Sequence, residues 1–332
     1  MKQEYLSLLA CPKCMGDLRI KILEKNSKEV VRAMLTCVKC VNVYSMENGI
    51  PNMFYAPERT LQFGVREMFN ETPYGLVGAR QAMENNHSIS MKVLHRSPWY
   101  IRENDVKGKL SLEAGCGGGH LYAELSLLGA DIIGIDQTPN SLYQIKKLFE
   151  EYGMVPNLVI GNLEFLPFKN KVFDMITSMG VIHHTPRTQS CLNHFSRALK
   201  ENGRIHVMVY HKTSAWNYVK NTLRFCCRHS RLFSNLIFFL TRFWMGETKT
   251  QSNQLTVFRD NMVNPITKSY NARELKRMCR KAGLKVGYLS RFELPELYVL
   301  GKAIYQSPLL RWYERRFGWF LHANMTKANG SN

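Results

Sequence analysis

A chain of 332 residues that is 45% hydrophobic and 21% charged can bury a sizeable core, which excludes disordered, collagen-like and coiled-coil proteins. Its 45 basic and 26 acidic side chains leave a net charge of +19, and the excess is local. Residues 1–60 carry 9 basic against 6 acidic side chains, residues 61–210 carry 15 against 14, and residues 211–332 carry 21 against 6, so only the last third expects an anionic partner. The apolar patch near the start, Leu6 to Ala10, is too short for a signal-peptide core, and Leu236 to Leu240 is too short to span a bilayer. The expectation is a cytoplasmic protein whose nine cysteines are thiols or metal ligands before they are disulfides.

The first element in the chain is a cysteine framework. Cys11-Pro12-Lys13-Cys14 and Cys37-Val38-Lys39-Cys40 are two CxxC knuckles, and two such turns can set four thiolates tetrahedrally around Zn²⁺. The residues between them, Leu18 to Leu23 and Val30 to Leu35, have the pattern of two hairpin strands carrying the knuckles. A four-cysteine site has no open position, so its metal would be structural, in place of a core that so short a segment cannot build. Leu8-Leu9-Ala10-Cys11, the second knuckle, Tyr44 and Gly49-Ile50-Pro51-Asn52-Met53-Phe54 resemble the small zinc-ribbon proteins that activate tRNA and protein methyltransferases. Those proteins are usually separate subunits, whereas this ribbon, residues 1–56, is fused to a larger unit. Residues 57–106 follow as a bridge of one or two helices broken at Ser97-Pro98-Trp99-Tyr100.

A second pattern opens at Lys109. Leu110-Ser111-Leu112-Glu113 is a short apolar strand ending in an acid, and Gly115-Cys116-Gly117-Gly118-Gly119 turns into a helix bearing Leu121, Leu125 and Leu128. The next strand, Asp131 to Asp136, also ends in an acid, and Thr138-Pro139 then opens a second helix as N-cap and first turn. Strand, glycine turn, helix, strand and acid make a mononucleotide-binding half, in which the second acid can accept from both ribose hydroxyls. The dinucleotide fingerprint G-x-G-x-x-G is not met: the spacing is G-x-G-x-G, and His120 stands where the third glycine would be. Glu113, two residues ahead of the first glycine, is placed to meet an ammonium group. Cys116 fits a small space-filling role better than a nucleophile.

This combination resembles motif I of the class I, Rossmann-like S-adenosylmethionine-dependent methyltransferases. The match continues in order through Gly161-Asn162-Leu163-Glu164, Phe173 to Thr185 and Leu199 to Tyr210, and resumes at about 269–327. The resemblance implies an α/β fold for residues 107–332, a seven-stranded, doubly wound sheet with a helical insertion, residues 211–268, after strand five. It further implies S-adenosylmethionine held by Glu113, Gly115, Gly117, Gly119, Asp136, Gln137, Asn162, Leu163 and Ser178. Asn162 replaces the family's usual Asp, and its amide oxygen can still accept from the adenine amine. His183 and His184, on the loop beneath the reactive methyl, are the candidates for a base, with His183 slightly preferred. Capping-box residues Asn271 and Glu274 start a helix ending at Gly283, and Leu284 to Arg291 and Gly318 to Lys327 are strands six and seven.

The insertion carries what the family core does not explain. No acid occurs from Tyr210 through Gly246. On one helix over 216–246, Lys220, Arg224, Arg228, Arg231 and Arg242 would share an arc of about 80°, with Tyr218, Phe225, Leu232, Phe233, Leu236, Leu240, Phe243 and Trp244 opposite. Such a helix is a lid burying its aromatic face, an interfacial helix with arginines on lipid phosphates, or an RNA-backbone track. Three functions follow: methyl transfer to a small apolar or membrane-associated metabolite (a lipid, quinone-like or glycan-linked precursor), methyl transfer to an RNA base, or a catalytically silent binding or activator protein. The intact glycine turn and acids speak against the third. The Asn/Asp-Pro-Pro-Tyr/Phe motif of amino-group methylation is missing at Ser178-Met179-Gly180-Val181, which favours the first over the second.

Overall fold

The computed structural model describes residues 1–57, 61–84, 101, 103–245, 258–292 and 308–328. The Ser97–Tyr100 break, and the side chains of Arg228, Arg242, Phe243 and Trp244, lie outside what is described.

The N-terminal unit is an antiparallel sheet ordered β1 (Leu18–Lys25), β2 (Val30–Cys37), β3 (Val43–Glu47) and β4 (Ile50–Pro51). Its first hairpin pairs Leu18 with Cys37, so the strand register carries the second knuckle back to the first. Leu18, Ile20 and Ile22 alternate with Arg19 and Lys21, the two-residue period of a sheet with one face on a core. That core is shared. Leu9, Leu35, Met46 and Met53 belong to the same apolar cluster as Phe168, Phe173 and Phe195 of the larger unit. Backbone also crosses over: the Met53 amide donates to the Ile160 carbonyl at 2.8 Å, and the Ala10 amide to the Pro167 carbonyl at 3.0 Å. Asn52 bridges Ile160 in parallel, so the ribbon covers part of an exposed sheet edge.

The larger sheet holds β5 (Leu110–Ala114), β6 (Asp131–Asp136), β7 (Asn157–Ile160), β8 (Phe173–Met179), β9 (Leu199–Tyr210), β10 (Leu284–Phe292) and β11 (Phe320–Lys327). Their spatial order is β10-β11-β9-β8-β5-β6-β7, parallel except for β11, which runs antiparallel between β9 and β10. This is the seven-stranded Rossmann-like sheet expected from the sequence. β5 to β8 are buried along nearly their whole length because helices cover both faces, which is why their sequences are continuous apolar runs. The chain reverses direction of sheet growth between β5 and β8, and in such sheets the crevice at the strands' C-terminal ends is where a ligand fits.

The insertion departs from expectation. It is two helices, Ala215–His229 and Arg231–Met245, separated at Ser230, whose backbone is extended (φ −142°, ψ 115°). Its polarity is also the reverse of a lid that buries aromatics. Lys220 and Arg224 are buried, while Tyr218, Phe225, Leu232, Leu236, Phe239 and Leu240 are exposed, Leu232 at 83%. The physical reason is the surface beneath: Arg224 reaches the Thr267 hydroxyl (2.8 Å) and the Asn264 carbonyl (2.7 Å), acceptors an aromatic face would have left unsatisfied.

Candidate functional site

A cavity of about 590 Å³ opens at the C-terminal ends of β5, β6, β8 and β9. Its floor is the glycine turn. Gly115 has φ +88°, and a Cβ there would come within 2.5 Å of Val181, so both conformation and space demand glycine. Gly119, at φ +72°, lies off the cavity and against Ile145, where a Cβ would meet the side chain at 2.8 Å; it lets helix His120–Leu127 settle on helix Pro139–Glu151.

Two carboxylates stand at the strand ends. Asp136 accepts from the Gly117 amide (2.9 Å) through one oxygen, and from the Thr138 amide (2.9 Å) and hydroxyl through the other. Thr138 occupies the N-cap position as expected, but its hydroxyl serves Asp136 in place of the helix. Glu113 is different. It is buried, its Oε2 has no hydrogen-bond partner among the described residues, and burial, helped by Asp136 and Glu124, drives its carboxyl well above the usual carboxylate range. An orphaned acid in a cavity wall fits a cationic ligand group.

The remaining expected residues divide. Gln137 and Leu163 line the cavity with Gly115, Gly117 and Asp136. Arg66, on helix Leu61–Glu71, donates to the Gln137 carbonyl at 2.8 Å and holds that helix, with Val65 and Phe69, across the opening. Asn162 lies outside the lining: its amide donates to the Tyr55 carbonyl (3.1 Å) and its oxygen caps a turn by accepting from the Glu164 amide (3.0 Å). Ser178 is buried between strands, donating to the Ala114 carbonyl at 3.0 Å. His184 lines the cavity, whereas His183 is buried behind it, its ring tilted against His184 at 4.1 Å and against Tyr210 at 4.0 Å. Cys116 is buried in the wall, and burial raises its thiol well above the ordinary range, in keeping with a filler.

Opposite the acids is a polar cluster that the sequence did not reveal. Asp260, on the π-helical turn Arg259–Val263, is buried and accepts from the Tyr74 hydroxyl (2.9 Å) and the Asn264 amide (3.0 Å). The His184 Nε2 lies 3.3 Å from its Oδ1, and the Tyr210 hydroxyl 3.4 Å from its Oδ2. His184 Nδ1 lies 2.8 Å from the Ile266 carbonyl, which can only accept, and 3.0 Å from the Asn264 side-chain amide nitrogen, which can only donate, so neither neutral tautomer satisfies both. Burial lowers the His184 pKa against the pull of Asp260, so the ring is neutral near pH 7. The one sequence signal for Asp260 is its rarity, an acid in a region with 21 basic residues and 6 acidic ones.

A family model described as a methyltransferase domain matches residues 112–207, the span from β5 through most of β9. Over these residues the chain matches a methyltransferase domain. A ubiquinone biosynthesis O-methyltransferase of Coxiella burnetii is 29% identical to the chain over 125 residues, 36% of this chain and 53% of that protein. A tRNA U34 carboxymethyltransferase of Cellvibrio japonicus is 30% identical over 149 residues, 42% of this chain and 46% of that protein. The chain thus spans about half the length of the curated relatives it matches. Among solved structures, a chain from the complex of the Haloferax volcanii Trm112 methyltransferase activator has a TM-score of 0.48 at 14% identity, covering 81% of this chain and 99% of its own.

Away from the methyltransferase domain's cavity, the thiols of Cys11, Cys14, Cys37 and Cys40 lie within 4.8 Å of one another. Sulfur separations of 3.6 Å (Cys11–Cys40) and 3.5 Å (Cys14–Cys37) compare with the ~3.8 Å edge of a tetrahedral zinc–thiolate site. Burial opposes ionisation of Cys37, but the amides of Cys40 and Lys39 together with the Cys14 and Cys40 thiols draw it down to about 7. The donor set fits a tetrahedral metal ion.

Proposed function

We propose that the protein transfers a methyl group from S-adenosylmethionine to a hydroxyl of a small, apolar, quinone-like acceptor. The observation that carries this reading is the His184 ring in the lining of the cavity that also holds Glu113 and Asp136, with Asp260 3.3 Å from its Nε2. When bound, the cofactor supplies an activated methyl on a sulfonium. Glu113 pairs with its ammonium, and Asp136 receives the ribose hydroxyls beside the Gly117 amide. At the other end His184 takes the proton from the acceptor hydroxyl, and the resulting imidazolium is stabilised by Asp260. Tyr74, held neutral by burial and by Asp260, orients that carboxylate. The O-methyltransferase relatives support an oxygen acceptor, and the buried basic residues of the insertion weigh against an RNA track. Cell extract incubated with the enzyme and a deuterated methyl donor, followed by mass spectrometry, tests the reading: labelled small apolar products support it, and label confined to RNA defeats it.

The same reading gives the ribbon a structural Zn²⁺ and the insertion a lipid-facing role. Apolar residues exposed on both insertion helices, without an acid from Tyr210 to Gly246, suit an anionic bilayer. A second copy of so basic a surface would be repelled. Among the described residues no helix is long and apolar enough to cross a membrane, so the contact would be peripheral.

A further inference from the structure

Lys220 stands in the middle of helix Ala215–His229 and is fully buried. Among the described residues its ammonium has no hydrogen-bond partner. It lies 3.7 Å from the centroid of the Tyr210 ring and 5.9 Å from that of Trp319, which stacks on Tyr210 at 5.2 Å. Burying an ammonium without an acceptor is costly, and a cation over a ring recovers only part of that. The carboxylate of the cluster, Asp260, is already engaged by Tyr74, Asn264, Tyr210 and His184. A methionine would fill the same space without the penalty. The charge therefore points to a use.

Tyr210 links the charge to the cavity, since Tyr210 lines it and Lys220 does not. An ammonium on the face of a phenol makes the hydroxyl more acidic and a stronger donor. We propose that Lys220 is a positioning residue which, acting through Tyr210, makes the acceptor pocket select an acidic hydroxyl, a phenol or enol, over an amine or an ordinary alcohol. The inference rests on the reading of the site as a methyltransferase and names its substrate class. In the transfer, the acceptor's O–H proton passes to the His184 ring while the Tyr210 hydroxyl turns from Asp260 to donate to the acceptor oxygen. That oxygen forms the bond to the methyl carbon, the carbon–sulfur bond breaks, and its electron pair remains on sulfur, which becomes neutral. The positive charge ends on His184.

The groups facing Lys220 come from every surrounding element: Arg224 on its own helix, Tyr210 on β9, His183 and His184 on the turn after β8, and Asp260 on the π turn. Burial and Arg224 depress the ammonium, against the pull of Asp260, to about 7. Because a cation's pKa is lowered, selectivity is present below that value and fades as pH rises through it.

The test uses the full chain saturated with S-adenosylhomocysteine and 4-nitrophenol as probe, whose ionised form is read by its absorbance. The parent should bind nitrophenolate about tenfold more tightly than the Lys220→Met variant, with the bound probe ionising at lower pH than the free one. Lys220→Arg should retain most of the preference. Since Met removes a buried charge, the variant should melt at or above the parent, so misfolding does not confound it. Equal binding by Lys220→Met and parent, or no binding of nitrophenolate by the parent, overturns the proposal. Calorimetry with S-adenosylhomocysteine alone judges the methyltransferase reading separately, because Lys220 does not line the cavity.

Discussion

The Tyr74 hydroxyl donates to the Asp260 carboxylate at 2.9 Å across a sequence separation of 186 residues. Tyr74 precedes the domain's first strand and Asp260 follows its fifth, so the bond draws two flanking segments over one cavity. It also places the carboxylate beside His184, on the domain's own loop. The site is thus assembled from the methyltransferase domain and from segments outside residues 112–207.

Asp260→Asn should preserve the Tyr74 contact while removing the charge that stabilises the His184 imidazolium. Turnover is expected to fall about 10²–10⁴-fold, the usual scale for a general base, with S-adenosylhomocysteine affinity changed little. His184→Gln should match it, and the double variant should be no worse than either. Additive losses in the double variant would show that the two act separately.

Glu113 yields a pH prediction. Its folded pKa is raised by burial, so the cofactor-free protein keeps this contribution to stability below the ordinary carboxylate range and loses it as pH rises through the raised value. A bound ammonium supplies the missing partner. The melting-temperature gain from S-adenosylhomocysteine should therefore grow as pH rises toward neutrality. Glu113→Gln should flatten that dependence and weaken binding by ~1.5–3 kcal/mol. A parent whose gain is independent of pH would remove Glu113 from the cofactor site.

Protein purified without chelator should contain one zinc per chain. Cys37→Ser should lose the metal and, because the ribbon shares its core with Phe168 and Phe173, should lower the melting temperature of the whole chain. Metal uptake must deprotonate thiols, so apparent affinity should fall as pH drops. Elemental analysis finding full zinc in Cys37→Ser would refute the site.

The apolar insertion surface separates lipid from RNA. Leu232→Ser with Phe239→Ser should reduce sedimentation with anionic liposomes at least tenfold, since each side chain buries ~1.5–3 kcal/mol of apolar surface. RNA affinity, if any, should be unaffected. Retained liposome binding, or a dimer in the parent that the variant dissolves, would count against the lipid face.

Much of this was legible in the sequence because its signals are local. The alternation of β1, the apolar runs of β5 to β8, the glycine turn followed by Asp136 and the Asn271–Glu274 capping box each depend on neighbours a few residues away. Both halves of that box are present in the structure. Each CxxC spacing pairs two thiols for the same reason, and the β1–β2 hairpin register brings the two pairs together.

What only the tertiary structure decided concerns which face of an element meets which acceptor. Helical periodicity put Lys220 and Arg224 on one stripe but could not say that the stripe turns inward. That depends on the Thr267 hydroxyl and Asn264 carbonyl lying beneath Arg224, and on the Tyr210 ring beneath Lys220. The same limit hid Asp260, whose partners come from three distant segments, and gave His183 a slight preference, whereas packing sets His184 on the cavity and His183 behind it. Periodicity is written into the chain, whereas the choice of a buried polar group's partner is a long-range matter of desolvation, settled only when the segments pack.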